Sequence, residues 1–259
     1  MSLVNYAEFK LSITKALGDQ LAADLEKLTP VSLTSTNLAM LPSVAGVYQL
    51  YQEHEDGRKL VYIGKADGSL PQRLTKHLKK LRGRVGVDLE KVTFTALSVE
   101  EDFQAVLPEK LLIAKHQGIG EAPWNNNGFG INDPGVKRDT TVFGLDHFDQ
   151  LYPANLDWVI EGLPVGECSL YDLVWAVKDG LPYVFRFARQ QHEKTYAGIT
   201  VSLGSSSATA DELFRIISAA LPDPWQITAL PGYVVMYPTR AESESARKYY
   251  RQGEVIHPS

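Results

Sequence analysis

The sequence predicts a mixed α+β protein with a central domain and a smaller C-terminal domain. Two short aromatic stretches, residues 46–51 and 60–63, flank an Asp-Gly dipeptide at 56–57, which is typical of a β-hairpin. Apolar residues recur at helical spacing over residues 6–28, and a second helix is expected at about 70–81. Beyond about residue 163 a further series of short strand and helix patterns begins, long enough for a second domain. No internal repeat is apparent.

The first half of the chain can be assigned element by element. The N-terminal helix is followed by a Ser/Thr/Pro-rich connection at 29–43 and then by the two hairpin strands. A loop at 65–68 precedes the helix 70–81, and a third strand is predicted at 92–99. Pro108 suits the first position of another helix. The Asn- and Gly-rich segment 124–135 predicts irregular structure, and 146–158 a short helix and a turn.

The C-terminal domain is predicted to alternate between helices and strands. Helices are expected at 169–177 and 210–221, and strands at 182–188, 196–203 and 232–237. A polar helix over 242–252 is expected to end the chain. These patterns match no domain that we can name.

Composition excludes several classes of protein. With 44% hydrophobic and 22% charged residues, the chain of 259 residues is typical of soluble globular proteins. No apolar run approaches the roughly 20 residues of a membrane helix, and no secretory signal pattern is expected. The single cysteine, Cys168, excludes an intrachain disulfide and a cysteine-based zinc site. A cytoplasmic location is therefore predicted.

Charge is distributed unevenly along the chain. The net charge is −5, but residues 61–90 hold seven basic and three acidic residues, a local balance of +4. Such a cluster suits contacts with phosphate groups, although a solvated helix face is the simpler alternative. The candidate phosphate-binding residues are Lys65, Lys76, Lys79, Lys80, Arg82 and Arg84.

Two tyrosine-glycine signatures open an ordered series of polar candidates. Gly46-Val47-Tyr48 and Tyr62-Ile63-Gly64 lie on the two hairpin strands. Downstream follow Arg73, His77, Glu109 and Asn125. Phosphodiester hydrolysis needs an activated water and positive charge beside the phosphate, and one or two carboxylates can hold Mg²⁺ for that purpose. Considered singly, each of these residues could have a purely structural role. Glu109, for example, could interact with the dipole of the predicted helix in whose first turn it lies.

In this order the motifs resemble the GIY-YIG nuclease superfamily over residues 44–135. The resemblance implies a three-stranded antiparallel sheet flanked by helices and metal-dependent DNA cleavage. It implies that Tyr48 or His77 activates water, that Tyr62 and Arg73 face the scissile phosphate, and that Glu109 binds Mg²⁺, with Mn²⁺ as a substitute. Asn125 would support the site, unless Asn126 or Asn127 takes its place.

The segments 108–113, 124–135 and 148–153 are more similar to the GIY-YIG type II restriction endonuclease branch. That similarity implies binding of duplex DNA by a homodimer. The predicted domains are an N-terminal helix and connection (1–43), a nuclease domain (44–160) and a C-terminal domain (163–259). The predicted function is a double-strand DNA endonuclease of restriction or anti-phage character. Alternatives are a branched-DNA or repair nuclease, and a nuclease subunit or DNA-binding module that needs a partner protein.

Overall fold

The computed structural model describes residues 13–99, 122–130, 135, 139–188 and 193–258. It shows a mixed α+β protein in two compact units. The first unit comprises the described residues of Met1–Lys76 and Glu90–Asn126, and the second those of His77–Leu89 and Asn127–Ser259. The nuclease domain predicted over 44–160 thus contributes residues to both units. Its boundaries, and those of the flanking domains, stay predictions.

The first unit contains a four-stranded antiparallel sheet. Its strands, in the order β1-β4-β2-β3, are β1 (Val31–Ser32), β4 (Val92–Ser98), β2 (Gly46–His54) and β3 (Gly57–Ala66). The three longer strands confirm the predicted ones. The short fourth strand, β1, was not predicted, because its Ser/Thr/Pro-rich surroundings carry no strand pattern.

The β2–β3 hairpin contributes one inner strand, β2, and one edge strand, β3, to this sheet. His54 pairs with Gly57, so the connection is a two-residue turn, and Gly57 has a φ of 119° that favours glycine. One face of the hairpin contributes Val47 and Ile63 to an apolar cluster with Ala22 of the first helix. Side chains alternate between the two faces of a strand, so Tyr48 and Tyr62 lie on the opposite face.

Among the described residues of the first unit, three α-helices lie wholly or partly within it: α1 (Ile13–Glu26), α2 (Ser35–Ala39) and α3 (Leu70–Leu81). Helix α1 lies within the predicted range 6–28, and α3 has the predicted bounds. Leu70, Leu74 and Leu81 of α3 are buried, so spacings of four and seven residues define its apolar side. The helix predicted from Pro108 falls outside the described residues.

The second unit is built around a five-stranded sheet and one large apolar core. The sheet has the order β13-β12-β10-β11-β7, in which only the β11–β7 pair is parallel. Its strands are β7 (Phe185–Phe187), β10 (Gln226–Ala229), β11 (Val234–Tyr237), β12 (Lys248–Arg251) and β13 (Glu254–Ile256). Four further strands form two-stranded sheets: β5 (Val159–Glu161), β6 (Gly166–Ser169), β8 (Thr200–Leu203) and β9 (Ser207–Thr209).

The helices of the second unit are α4 (Phe148–Leu151), α5 (Leu170–Gly180), α6 (Glu193–Ala197) and α7 (Ala210–Ala220). Leu213, Phe214 and Ile217 of α7 are fully buried in the core, and each such burial stabilises by about 1.5–3 kcal/mol. Across the described ranges, none of the helices is long and apolar enough to cross a membrane.

Two predictions for the second unit were wrong. The region 242–252 does not form a helix: it contains β12, which continues through a turn at Gln252 and Gly253 into β13. Both turn residues have positive φ, 49° and 84°, as a tight hairpin turn requires. The strand predicted at 196–203 is confirmed only from Thr200, because Tyr196 lies in α6.

The second unit also contains an internal repeat that the sequence did not reveal. The order strand–strand–helix–strand occurs twice, as β5-β6-α5-β7 and as β8-β9-α7-β10, with the short helix α6 between the copies. The two copies exchange strands: β5 of the first pairs with β9 of the second, and β6 of the first pairs with β8 of the second. The arrangement has the reciprocal pairing of a two-fold symmetric dimer within one chain.

The two long helices of the repeat begin and end alike. Each has 11 residues, and the N-cap residues, Ser169 and Thr209, are 40 positions apart. Each N-cap side chain accepts a hydrogen bond from the backbone N–H three residues later. Each helix ends at an extended leucine, Leu181 or Leu221, followed by proline. Few other positions are identical, so the repeat is recognisable mainly from structure.

Candidate active site

The two signature tyrosines are neighbours on one face of the β2–β3 hairpin. Tyr48 pairs with Gly64 and Tyr62 with Leu50, which makes the tyrosines diagonal partners. Their ring centroids are 6.1 Å apart and the rings are tilted by 39°. Tyr48 has no exposed surface and Tyr62 is 4% exposed. The series therefore brings its two phenols together in a buried position.

Gly64 makes room for the first tyrosine. A Cβ atom added at this position would collide with the Tyr48 hydroxyl oxygen and would lie 2.7 Å from Cε1 of Tyr62. The backbone at Gly64 is ordinary strand, so the requirement for glycine here is steric and does not come from an unusual φ. The glycine of the second signature is thus required by the tyrosine of the first.

Arg73 reaches the same point from α3. Its Nε donates a hydrogen bond to the Tyr48 hydroxyl oxygen at 3.2 Å. Burial alone would lower the pKa of the half-buried Arg73 guanidinium, but the Tyr48 and Tyr62 oxygens outweigh burial and raise this pKa. A cation held in this way stabilises negative charge on the phenol oxygen that it contacts.

Asn125 binds the edge of the same hairpin. Its side-chain Oδ1 accepts from Ile63 N–H at 2.8 Å, and its Nδ2 donates to Ile63 C=O at 2.6 Å. Ala122 N–H donates to Leu60 C=O nearby, so residues 122–125 run along the outer edge of β3. The Asn125 amide thereby acts as a substitute strand partner for the residue between Tyr62 and Gly64.

The neighbouring asparagines are placed differently from Asn125. Asn126 is exposed, and Asn127 belongs to the second unit. Asn125 is thus the one of the three that contacts the hairpin in the described structure. Its predicted role in the site stays a prediction, and the geometry is that of a supporting residue.

His77 lies one turn after Arg73 on α3 and is assigned to the second unit. It is 3% exposed, and its ring stacks on Phe129 with centroids 4.8 Å apart and an interplanar angle of 22°. Lys80, one turn later, donates to the carbonyl oxygens of Gly128 and Phe129 at 3.0 and 2.6 Å. The segment around Phe129 is thus fastened to the end of α3 by stacking and by hydrogen bonds.

Arg84 is a buried structural cation. It forms an ion pair with Asp149 at 2.9 Å, and the two side chains are 4% and 0% exposed. Its other hydrogen bonds go to the backbone carbonyls of Lys80 and Tyr152, at 3.0 and 3.1 Å. Contact with a DNA phosphate, the role predicted for Arg84 and Lys80, would require breaking these internal bonds.

The remaining predicted phosphate-binding residues are more accessible. Lys65 is partly exposed and forms an ion pair with Asp67 at 2.8 Å. Lys76, Lys79 and Arg82 are exposed, and the structure gives them no ion pair within the described ranges. The six basic residues are therefore not equivalent, although the sequence treats them as one cluster.

Glu109, the predicted metal ligand, lies outside the described residues. Within the described ranges, no group of three or more His, Cys, Asp or Glu side chains is placed to hold a metal ion. The described geometry supplies a phenol, a guanidinium and an amide, and Glu109 stays the predicted ligand for Mg²⁺ or Mn²⁺.

Sequence reasoning missed Phe129 and Asp149, which hold His77 and Arg84 in place. No local signal could have found the second contact, because Asp149 and Arg84 are 65 positions apart in the chain. No protein-family model matches the chain, and no curated protein matches its sequence. The resemblance to GIY-YIG nucleases therefore rests on the order of the motifs alone.

Proposed function

We propose that the protein is a divalent-metal-dependent endonuclease that hydrolyses phosphodiester bonds in double-stranded DNA, with a role in restriction or defence against phage. One observation carries this proposal: the hydrogen bond from Arg73 Nε to the Tyr48 oxygen, beside Tyr62 and against Gly64. It joins both signatures and the following helix at a single point. The antiparallel sheet with α3 beside it supports a GIY-YIG nuclease fold for the first unit.

In the proposed reaction Tyr48 is the general base. Tyr48 acts as a phenolate that has already lost its proton to solvent. The oxygen of a water molecule forms a bond to phosphorus, the water's proton passes to the Tyr48 oxygen, and the bond to the departing sugar oxygen breaks as that oxygen takes a proton from solvent. The phenolate that accepts the water's proton must be stabilised, and the Arg73 guanidinium supplies the necessary positive charge. The terminal nitrogens of Arg73 have the planar geometry that suits a phosphate oxygen.

His77 is the other candidate base, and its surroundings favour Tyr48 instead. Both side chains are almost completely buried, so burial does not separate them. Tyr48 contacts the Arg73 guanidinium, whereas one face of the His77 ring is covered by Phe129. We therefore assign His77 a supporting role in α3. The burial of Tyr48 has a separate consequence: substrate reaches its oxygen only after the groups that cover it have moved aside.

A metal ion held by Glu109 would neutralise charge that develops on the phosphoryl group. Mg²⁺ commonly takes one or two carboxylates and completes its coordination with water and phosphate oxygens, so a single glutamate could serve as its protein ligand. The steps assigned above to Tyr48 and Arg73 do not specify where that ion lies.

The decisive experiment is cleavage of unmethylated plasmid and phage DNA by the purified protein, in Mg²⁺ and in EDTA, with the fragment ends sequenced. Discrete metal-dependent fragments are expected. Glu109→Gln should abolish cleavage and leave DNA binding nearly intact, whereas the exposed carboxylate variant Glu90→Gln should cleave like the wild type. Full activity of Glu109→Gln would refute the assignment.

The fragments also distinguish the classes of nuclease. Fragments that share one sequence would establish restriction activity, whereas cleavage confined to branched substrates would indicate a repair nuclease.

A further inference from the structure

The basic residues around α3 fall into two rows that face different surroundings. The inner row contains Arg73, His77 and Lys80, at spacings of four and three residues, which place them on one side of α3, and Arg84, which lies beyond the end of α3 after the turn at Gly83. Every member of this row contacts protein: a tyrosine hydroxyl, an aromatic ring, backbone carbonyls and a buried carboxylate. The inner row is therefore engaged in internal contacts.

The outer row contains Lys76, Lys79 and Arg82, each three residues apart, which is the spacing of a ridge along a helix surface. The N–H of Arg82 donates to Leu78 C=O at 3.0 Å and extends the helical pattern just beyond α3. All three side chains are exposed. None of the three forms an ion pair with another described residue. The next exposed carboxylates along the chain, Asp88 and Glu90, follow only after the turn at Gly86.

Arg82 has a support of its own. Its guanidinium carbon lies 5.4 Å from the centre of the Trp158 ring, in cation–π contact. Trp158 is itself held by a hydrogen bond from Nε1 to Gly180 C=O at 3.2 Å, and it packs against the main core. The ring restricts the conformations of Arg82, a residue that stays exposed.

We propose that the outer row, Lys76, Lys79 and Arg82, is the surface that binds the phosphate backbone of duplex DNA, with Trp158 positioning Arg82. This proposal rests on the proposed function for its choice of polyanion. Three cations span about 9 Å of helix, which is comparable with about three nucleotides of one strand at 3.4 Å each. No carboxylate in the described part of the chain pairs with them, although the net charge of the chain is −5, so charge complementarity favours a polyanionic partner.

The test is the salt dependence of binding to a fluorescent 20-base-pair duplex, measured in EDTA so that cleavage does not intervene. Each phosphate contact contributes about 0.9 to the slope of log affinity against log salt concentration. Lys76→Gln, Lys79→Gln and Arg82→Gln should each flatten the slope by about 0.9, and the triple variant by about 2.7. Lys194→Gln, at an exposed lysine on α6, is the matched control and should leave the slope unchanged.

Two further results would overturn the proposal. One is a triple variant whose binding has the wild-type salt slope. The other is a wild-type protein that does not bind duplex DNA but binds vesicles containing an anionic lipid through the same residues.

This test can succeed or fail independently of the test of the proposed function. Tight salt-dependent binding without Mg²⁺-dependent cleavage would leave this surface in place and remove the nuclease. Mg²⁺-dependent cleavage by a protein whose outer-row variants bind DNA like the wild type would support the nuclease and remove this surface.

Discussion

Asn125→Ala removes both side-chain hydrogen bonds to Ile63 at the outer edge of β3. The Ile63 N–H and C=O groups would lose their partners, and Ile63 is fully buried. An unsatisfied buried donor or acceptor costs about 1–3 kcal/mol. Two such groups give roughly 2–6 kcal/mol, and we expect about 2–3 kcal/mol because water can reach a strand edge and replace part of the loss.

Amide hydrogen exchange measures this effect at the residue concerned. A loss of 2–3 kcal/mol in local stability should speed exchange at Ile63 by about 30- to 150-fold. Asn125→Asp separates the two bonds, because a carboxylate still accepts from Ile63 N–H but cannot donate to Ile63 C=O. In that variant the amide should remain largely protected. Asn126→Ala, at the exposed neighbouring position, should behave like the wild type.

The reasoning would be refuted by an Ile63 amide that exchanges at the same rate in Asn125→Ala and in Asn126→Ala. It would also be refuted if Asn125→Asp lost protection as completely as the alanine variant. Cleavage assays on the same proteins then show whether the alignment of Tyr62 and Gly64 matters for activity. We expect activity to fall in both Asn125 variants.

Three further predictions concern packing and charge. Gly64→Ala should destabilise by about 1–3 kcal/mol in urea unfolding and should abolish cleavage, since the new methyl group would displace Tyr48. Removing either partner of the buried Arg84–Asp149 pair should cost about 3–5 kcal/mol, and Arg84→Met with Asp149→Leu together should cost less than the sum of the single changes. Burial raises the pKa of Asp211, but hydrogen bonds from Lys248 and Tyr250 outweigh burial and lower it. Because the folded-state pKa is lowered, this stabilisation is present at neutral pH and is lost as pH falls below the ordinary value of 3.8 and through the folded-state pKa, so Asp211→Asn should be destabilising at pH 7 and progressively less so below pH 3.8.

The elements of the first unit could be predicted because their signals are local. A hairpin dipeptide between aromatic stretches and a helix with regular apolar spacing specify structure within about a dozen residues. The region 242–252 was misassigned because its charged residues suit a helix, whereas Tyr249 and Tyr250 are buried by pairing with β10, more than 20 residues earlier. That pairing has no trace in the local pattern.

The candidate site shows the same limit. The order of Tyr48, Tyr62, Arg73 and Asn125 could be read directly, and the structure brings each of them to the hairpin. The sequence could not show that Lys79 is exposed whereas Lys80 contacts the backbone, because both are lysines in one basic cluster. Only the carbonyl groups around Phe129, about 50 positions away, show that Lys80 points inwards.

The exchanged strands of the second unit have a consequence for how the protein is made. Neither strand–strand–helix–strand copy can complete its two-stranded sheets until the other has been synthesised, so this part of the chain should fold late and as a whole. A second molecule could supply the same partner strands, since β5 and β6 do not distinguish a β9 and β8 of their own chain from those of a neighbour. At high protein concentration, two chains could therefore trade halves without losing any native strand pair.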